Sequence, residues 1–517
     1  MFKILAGLAV LGLQLCAGEF HASNEVSLYY NKVTGPGKAN SSLTENLNYA
    51  DLLSLNGSGE KGKASYNYNM GFKSTDDPRT DIKNVSLTNL NGYIKNGPHN
   101  LNAGDIFESF SQYSLATALK GGSYRYENAS SALGQATVLF GYASPRWDSF
   151  WKDPLTRTQK KQAWGARLKK NLSGNLDLGL SMVNSKDVDS YNSTSRYEVS
   201  NLAMDFSFKP APGLSFDGEA ASSDYDENVS KASENGKAFR LQATGDADPS
   251  RVSVEYEEVS PDFLSPLGSS TPDRRKVKTK WRYKYSKYTT FNTGLLWYRN
   301  NLDGQLASTT KNWRPEVSMA VKKIFPSRPY SFADFSYKFD RKYGAGSSQA
   351  DHYFNINYRD RLSEMDSDSN LGYTIYRTKT SVRDSREFNF NTSLSERLEK
   401  ADSVFTPKIT AGAWYSKDEL SDYSDKVYEY SLGLGFEKPQ NGFSSEIRLG
   451  QNFLRKGDPT SDDSAKTFAS ASLYYRTKIM KAASVIFLKA AFNDFNYSTN
   501  ANDFREKSVT LGLNTSF

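Results

Sequence analysis

Cysteine and histidine are almost missing from this chain of 517 residues. It has one cysteine, Cys16, and three histidines, His21, His99 and His352. A single thiol excludes an intrachain disulfide, a multi-cysteine metal site and CxxCH haem attachment. The histidines show no Ser/His/Asp arrangement and no metal-ligand spacing. The sequence therefore predicts a protein that is not an enzyme and that has no catalytic residues, no metal site and no cofactor.

Long hydrophobic runs are also missing once the first residues are passed. No later segment approaches the ~18 consecutive apolar residues of a membrane helix. The N-terminus itself has the pattern of a secretory signal, with Lys3, an apolar stretch at 4–15 and small residues at 16–18. We expect a signal peptide at 1–18, cleaved after Gly18, with Ala17 as the alternative, so the mature chain has no cysteine.

Aromatic residues are abundant, with 32 Tyr and 30 Phe, which suits a β protein. The clearest segment is 276–285, where side chains of an extended strand would alternate between two faces. One face carries only cations: Lys276, Lys278, Lys280, Arg282 and Lys284. The other is mainly aromatic and β-branched: Val277, Thr279, Trp281, Tyr283 and Tyr285. This pattern fits either a soluble sheet with one buried face or a barrel wall between lipid and a wet lumen.

About 26 alternating segments continue to the last residue, each near the ~9–11 residues of a tilted spanning strand. Short connections with turn residues, such as 96–97 and 172–173, alternate with long polar ones, such as 143–161 and 300–313. A Greek-key sandwich would not show this regular alternation of short and long connections. We predict a single all-β antiparallel transmembrane barrel over 25–517, with about 26 strands in a range of about 22–28. Its short turns would be periplasmic and its long loops extracellular.

The final strand has an apolar face made of Val509, Leu511, Leu513 and Phe517. It resembles the terminal strand of porin-like bacterial outer-membrane β-barrels, in which a C-terminal aromatic residue is part of the assembly signal. The resemblance implies a place in the outer membrane of a Gram-negative bacterium. It implies as partners the membrane lipid, lipopolysaccharide and the barrel-assembly machinery, and no nucleic acid.

A barrel this wide would threaten the permeability barrier unless something narrowed it. The best candidate is segment 104–121, which breaks the alternation. It carries four large apolar side chains, Phe107, Phe110, Tyr113 and Leu115. Leu115 and Leu119 also have helix-like spacing. A constriction or plug folded into the lumen and a cap on the barrel rim both remain open. The segment loosely resembles a stretch of fimbrial ushers, but the chain has no room for their periplasmic domains, so no usher function is implied.

The cations at 276–284 predict a basic lumen that favours anions. Glu255 and Glu257, on the inward face of the preceding strand, would neutralise part of that charge. Five cations against two carboxylates leave a surplus. A separate loop, 143–161, combines aromatic and basic residues. It suits either a site for a sugar or an anion or an aromatic anchor at the membrane interface.

These features predict a porin-like channel for polar, anionic solutes. The alternative is a wide conduit or scaffold barrel that encloses a partner protein in its lumen, such as a multihaem cytochrome, or that exports a polymer such as polysaccharide. A surface β protein used for adhesion is a third interpretation.

Overall fold

The computed structural model describes residues 18–82, 84–128, 134–144, 146–150, 160–188, 197–227, 233–344, 346–379 and 383–517. Residues 1–17 of the expected signal peptide lie outside these ranges. No helix in the described ranges is long and apolar enough to cross a membrane.

The described residues form 27 strands, all in one sheet. Their bounds are β1 Glu19–Thr34, β2 Asn46–Lys61, β3 Ala64–Thr75, β4 Val85–Asn96, β5 His99–Ile106, β6 Leu119–Glu127, β7 Gln135–Ala143, β8 Lys161–Ser173, β9 Leu176–Asp187, β10 Tyr197–Ala211, β11 Leu214–Glu227, β12 Ser233–Ala247, β13 Ser250–Val259, β14 Arg274–Lys284, β15 Thr289–Arg299, β16 Lys311–Lys322, β17 Phe332–Gly344, β18 Ser347–Leu362, β19 Met365–Thr378, β20 Asp384–Glu396, β21 Leu398–Lys400, β22 Ser403–Asp418, β23 Ser424–Lys438, β24 Phe443–Arg455, β25 Ser464–Ile479, β26 Ala482–Tyr497 and β27 Phe504–Ser516.

The sheet closes on itself. Neighbouring strands pair antiparallel in chain order, and β27 returns to pair with β1. The short β21 pairs with β22 and prolongs β20, so the wall has 26 strands. The prediction of a large antiparallel barrel with about 26 strands is confirmed. Closure leaves no unpaired sheet edge, so each of the 26 wall strands has two hydrogen-bonded neighbours.

Several strands are longer than the predicted ~9–11 residues. Six of those in the described ranges, β1, β2, β18, β22, β25 and β26, have 16 residues. The predicted strand length counts only the residues that cross the hydrocarbon layer. Backbone hydrogen bonds between the strands continue beyond that layer, into the polar strand ends. The barrel wall therefore extends beyond the apolar zone that the alternation pattern detects.

The two faces of the wall differ as the alternation predicts. Along β27, Val509 and Leu511 point outward, and Leu511 is 53 % exposed. They lie opposite Tyr30 and Leu28 of β1, which are also exposed. Phe517 is exposed as well, and its backbone N–H donates to the carbonyl of Ala22 over 2.8 Å. The outer surface is thus an apolar girdle without a protein layer over it.

Two clusters of buried hydrophobic side chains lie on the other side of the wall, inside the barrel. They combine wall residues of β5 to β13 with residues of two connecting segments. The packed core of this molecule is therefore local and one-sided, and it sits within the lumen.

Candidate pore and constriction

Two connecting segments, 107–118 and 260–273, fold into the barrel and pack on its inner wall. Together we call them the shelf. The wall residues that receive them alternate with exposed outward side chains: on β10, buried Ala203 lies between exposed Leu202 and Met204. The shelf therefore occupies the lumen side of the wall, and segment 107–118 is not a cap on the rim.

Apolar packing fixes the shelf to nine consecutive strands, β5 to β13. Phe110 and Leu115 belong to a cluster with Leu139, Ala163 and Val183, from β7, β8 and β9. Tyr113 belongs to a second cluster that continues along β10 to β13. Its other members are Ala203, Ala221, Ala238, Val259 and Phe263. Most of these wall residues are small, which leaves space for the larger side chains of the shelf.

Three inward carboxylates hold segment 107–118 by hydrogen bonds. Glu219 accepts the backbone N–H groups of Gln112 and Tyr113, at 3.0 and 2.8 Å. Glu257 accepts the Tyr113 hydroxyl at 2.9 Å and the Gln112 side-chain amide at 3.1 Å. Glu108, within the segment, accepts the Ser123 hydroxyl at 2.7 Å. These bonds satisfy donors that would otherwise be buried without partners.

Tyr113 is the centre of this arrangement and is 0 % exposed. Its ring meets Phe263 edge to face at 5.7 Å between centroids. Burial, together with the neighbouring Glu257 carboxylate, raises the pKa of the Tyr113 hydroxyl. The phenol consequently stays protonated and donates its hydrogen bond across the physiological pH range.

Segment 260–273 is the part of the shelf that sequence reasoning missed, because its polar ends suggested a free external loop. The Ser265 hydroxyl donates to the Tyr113 carbonyl at 2.5 Å, and the Ala116 N–H donates to the Leu267 carbonyl at 2.8 Å. The Asn201 side chain of β10 donates to the Leu264 carbonyl at 2.9 Å. The run Phe263-Leu264 and the nearby Leu267 are the only signal in its sequence that indicated burial.

The four apolar residues predicted for the constriction do not all have one environment. Phe110, Tyr113 and Leu115 are buried in the shelf, whereas Phe107 is 68 % exposed and belongs to neither cluster. The helix-like spacing was misleading, because Leu119 starts β6 and pairs with Ile106 of β5. The segment between the two strands is therefore 107–118, shorter than the expected 104–121, and it has no helix.

The cations of β14 lie on the same wall face as the carboxylates of β13. Glu257 is directly opposite Lys276, and Glu255 is opposite Lys278. Lys276 forms an ion pair with Glu257 and a second one with Glu255 at 3.0 Å. Glu255 also pairs with Arg240 of β12 at 3.1 Å. Both carboxylates are thus already engaged, at the end of the strand nearest the shelf.

The rest of the β14 row is less neutralised. Lys284 pairs with Asp248 at 3.2 Å, where both side chains are largely exposed. Lys278, Lys280 and Arg282 form no ion pair with any residue that the structure describes. Three positive charges therefore remain on the inner wall below the shelf.

The aromatic and basic loop 143–161 is only partly described, and Trp151 lies outside the described ranges. Trp147 donates its indole N–H to Asp105 at 2.9 Å. Phe150 packs edge to face on Tyr142 at 5.4 Å, and Tyr142 packs on the exposed, outward Phe140. This position at the outer rim suits an interfacial anchor better than a ligand site inside the lumen.

A closed wall, apolar outside and polar inside, decides the type of fold. The fold is that of an outer-membrane β-barrel. Within the described residues no group of three His, Cys, Asp or Glu side chains could hold a metal ion.

Comparisons with solved structures find distant likenesses. The translocation pore of the P pilus usher PapC is 8 % identical, with 96 % of this chain and 99 % of that chain covered and a TM-score of 0.38. Pseudomonas aeruginosa OpdO is 13 % identical over 70 % of this chain and 98 % of that chain, with a TM-score of 0.36. Pseudomonas aeruginosa OccK5 (OpdH) is 11 % identical over 70 % and 99 %, with a TM-score of 0.37.

No family model and no curated protein matches the sequence. Likenesses at these identities and TM-scores carry no assignment of function. The function has to be argued from the barrel's own residues.

Proposed function

We propose that this protein is a porin-like channel in the outer membrane of a Gram-negative bacterium, passing polar and preferentially anionic solutes. The observation that carries the proposal is a row of three inward cations, Lys278, Lys280 and Arg282, that form no ion pair within the described part of the chain and lie next to a constricted part of the lumen. In this proposal the girdle contacts lipid and lipopolysaccharide, and the barrel-assembly machinery inserts the chain.

The width of the barrel explains why a constriction is needed. A circular barrel of 26 strands, about 4.8 Å apart and tilted by about 40°, has a backbone diameter of about 50 Å. Such an opening would pass large solutes and defeat the barrier. The shelf narrows it from the side of β5 to β13, which leaves the solute path against the remaining strands.

The uncompensated cations would act on solutes in that path. A wall of low dielectric constant focuses the field of its charges into the water-filled lumen. Anions are then concentrated beside β14 and cations are depleted. Since Glu255 and Glu257 are engaged by Lys276 and Arg240, they do not cancel this potential further along the strand.

Reversal potentials in planar lipid bilayers under a salt gradient test the proposal. Replacing Lys278, Lys280 and Arg282 with Gln should shift the reversal potential from anion preference towards that of an unselective pore. The control replaces three exposed lysines with Gln: Lys61 at the end of β2, Lys63 in the β2–β3 turn and Lys481 in the β25–β26 turn. Equal selectivity in the wild type and the lumen variant would contradict the proposal.

A conduit for a larger partner is the second candidate, favoured by one observation. The shelf contacts nine of the strands, so the lumen beside the remaining strands has room for a polymer or a folded protein. In that case the isolated barrel should pass large neutral polymers or co-purify with a periplasmic protein. Deleting 109–117 should then have little effect on conductance, whereas a channel limited by the shelf should show a clear increase.

A further inference from the structure

The inner wall carries a row of inward side chains that starts on β13, at the margin of the shelf, and runs away from it, changing from basic to neutral to aromatic. It starts at β13, where Arg251 is directly opposite Arg282 of β14. Like charges directly opposite each other destabilise a strand pair. Arg251 has only a long contact of 3.5 Å with Asp246, and Arg282 has no ion pair among the described residues. An anion between the two guanidinium groups would relieve their repulsion.

The row continues with small, neutral and polar side chains. Arg282 is opposite Asn292, which is followed in register by Ser318, Ser336 and Asn355 on β16, β17 and β18. These residues offer hydroxyl and amide groups, and no large side chain stands among them. Each lies between two outward residues on its strand, such as exposed Val317 beside Ser318, so the whole row faces the lumen.

The row ends in an aromatic ring. Beyond Gly372 the register leads to Asn389 of β20, which is opposite Trp414 of β22. Trp414 lies between Ala413 and Tyr415 of the outward face and therefore points inward. An indole ring on a wet lumen wall exposes apolar surface to water unless a ligand stacks on it. We call the set from Arg251 and Arg282 to Trp414 the Arg–Trp row.

The wall has a matching depression. A cavity of about 830 Å³ is bordered by Arg251, Lys280 and Arg282 at one side and by Lys338 and Tyr353 at the other, with Ser318 and Ser336 between them. Two carboxylates, Glu316 and Asp334, line it as well, so its four cations exceed its acidic groups by two. From β13 to β22 the row crosses eight strand spacings of about 4.8 Å, or about 38 Å.

We propose that the Arg–Trp row binds an acidic oligosaccharide. The arginines would hold a carboxylate or sulfate group, since a guanidinium group matches such anions in shape and charge. The hydroxyl and amide groups would exchange hydrogen bonds with sugar hydroxyls, and Trp414 would stack on a sugar ring. This rests on the proposed channel function, because it names the class of solute that the lumen would receive.

Direct binding tests the inference independently of conduction. The full-length protein in detergent is titrated by calorimetry with a hexamer of galacturonic acid, the galacturonate monomer and maltohexaose. The acidic hexamer should bind at least about tenfold more tightly than either of the other two. If the monomer binds as tightly as the acidic hexamer, the row is a simple anion site. If maltohexaose binds as tightly as the acidic hexamer, the arginines do not contribute to recognition. Either result would overturn the inference.

Two variants locate the site. Arg282→Gln and Trp414→Ala should each weaken binding of the acidic hexamer by about tenfold or more. Their controls are Arg505→Gln and Trp313→Ala, which change an exposed arginine and an exposed outward tryptophan, neither of which borders the cavity. Heat-modifiable migration on gels shows that each variant is a folded barrel. If Trp414→Ala binds like the wild type, the row does not form the site.

Bilayer recordings then separate this inference from the proposed function. A protein that binds the hexamer but is silent or unselective would contradict the channel and leave the site standing. An anion-selective channel that the hexamer neither binds nor blocks would contradict the site and leave the channel standing.

Discussion

At the scale of single residues, the inner wall uses carboxylates for structure and cations for function. Glu219 is 6 % exposed, and its charge is spread over two backbone N–H groups of the shelf. Hydrogen bonds to a charged group contribute about 1.5–3 kcal/mol each. Glu219 therefore belongs to the support of the constriction and adds little to the potential of the lumen.

Replacing Glu219 with Gln tests this role. A neutral amide keeps one acceptor but points its NH₂ group at the second backbone N–H, so the shelf should open at least about tenfold more often. Hydrogen exchange of the backbone amides in 110–116, followed by mass spectrometry in detergent, measures that opening. Glu60→Gln, at an exposed position near the end of β2, is the control and should leave the exchange unchanged. Wild-type exchange in the Glu219 variant would show that apolar packing alone holds the shelf.

The sequence could identify some of these residues and not others. Parity along two adjacent strands was enough to put Glu255, Glu257 and the β14 cations on one face. Glu219 could not be found in this way, because its hydrogen-bond partners are 106 and 107 residues away in the chain. Contacts of this kind depend on where a segment folds back, and local periodicity does not encode that.

At the scale of elements, the connections at the outer rim are tied to each other. Asp77, in the β3–β4 connection, receives hydrogen bonds from three side-chain hydroxyls and one backbone N–H. The donors are Tyr29, Thr44, Arg79 and Thr80, at 2.6 to 2.9 Å. Burial alone would raise the pKa of Asp77, but the hydrogen bonds of Thr44 and Thr80 outweigh it and lower that pKa to about 2. Because Thr44 lies in the β1–β2 connection, one carboxylate holds two loops together.

This predicts how the two loops respond to acid. Since the folded pKa lies below the ordinary aspartate value, the stabilisation is complete above about pH 4 and is lost as the pH falls towards 2. The rate of pepsin cleavage in these loops is measured for the wild type and for Asp77→Asn. The ratio of the wild-type rate to the variant rate should be well below one at pH 4 and should approach one at pH 2. Asp458→Asn, which removes a carboxylate bonded only within its own loop, should show no such trend. A ratio that does not change with pH would exclude Asp77 as the fastening group.

Secondary-structure elements could be predicted from the sequence where polar and apolar side chains alternate along them. The strands of the wall could be read from side-chain parity because lipid and water select opposite residue types on every strand. Segment 260–273 could not be recognised, since its few apolar residues sit in a polar stretch and its partner surface is made of scattered alanines. The expected helix near Leu115 failed for a related reason: pairing of Leu119 with Ile106 outweighed a weak helical spacing.

At the scale of the whole molecule, the seam between β1 and β27 completes the barrel. Val26, Leu28 and Tyr30 of β1 lie opposite Leu513, Leu511 and Val509 of β27. The apolar girdle therefore continues across the junction of the two chain ends. Both the count of about 26 strands and the inward and outward faces followed from the sequence, whereas the one-sided filling of the lumen did not.

Charges on the seam should prevent assembly. Replacing Leu511 and Leu513 with Asp places two carboxylates in the girdle, where a basic residue costs about 2–4 kcal/mol near the midplane and an acidic one somewhat less. We expect loss of the folded, heat-modifiable form in membrane fractions. Ser508→Asp with Thr510→Asp is the matched control, because those positions of the same strand face the lumen. A folded double Leu variant would mean that this face does not meet hydrocarbon.

Glu257 links two properties of the channel, the position of the shelf and the charge along the lumen. It accepts the hydroxyl of the shelf's central tyrosine and also pairs with Lys276, the first cation of the β14 row. A substitution there would alter the bore and the ionic preference in the same step. Natural variation in selectivity is therefore expected to accumulate at the far end of the row, where a residue can change without loosening the obstruction.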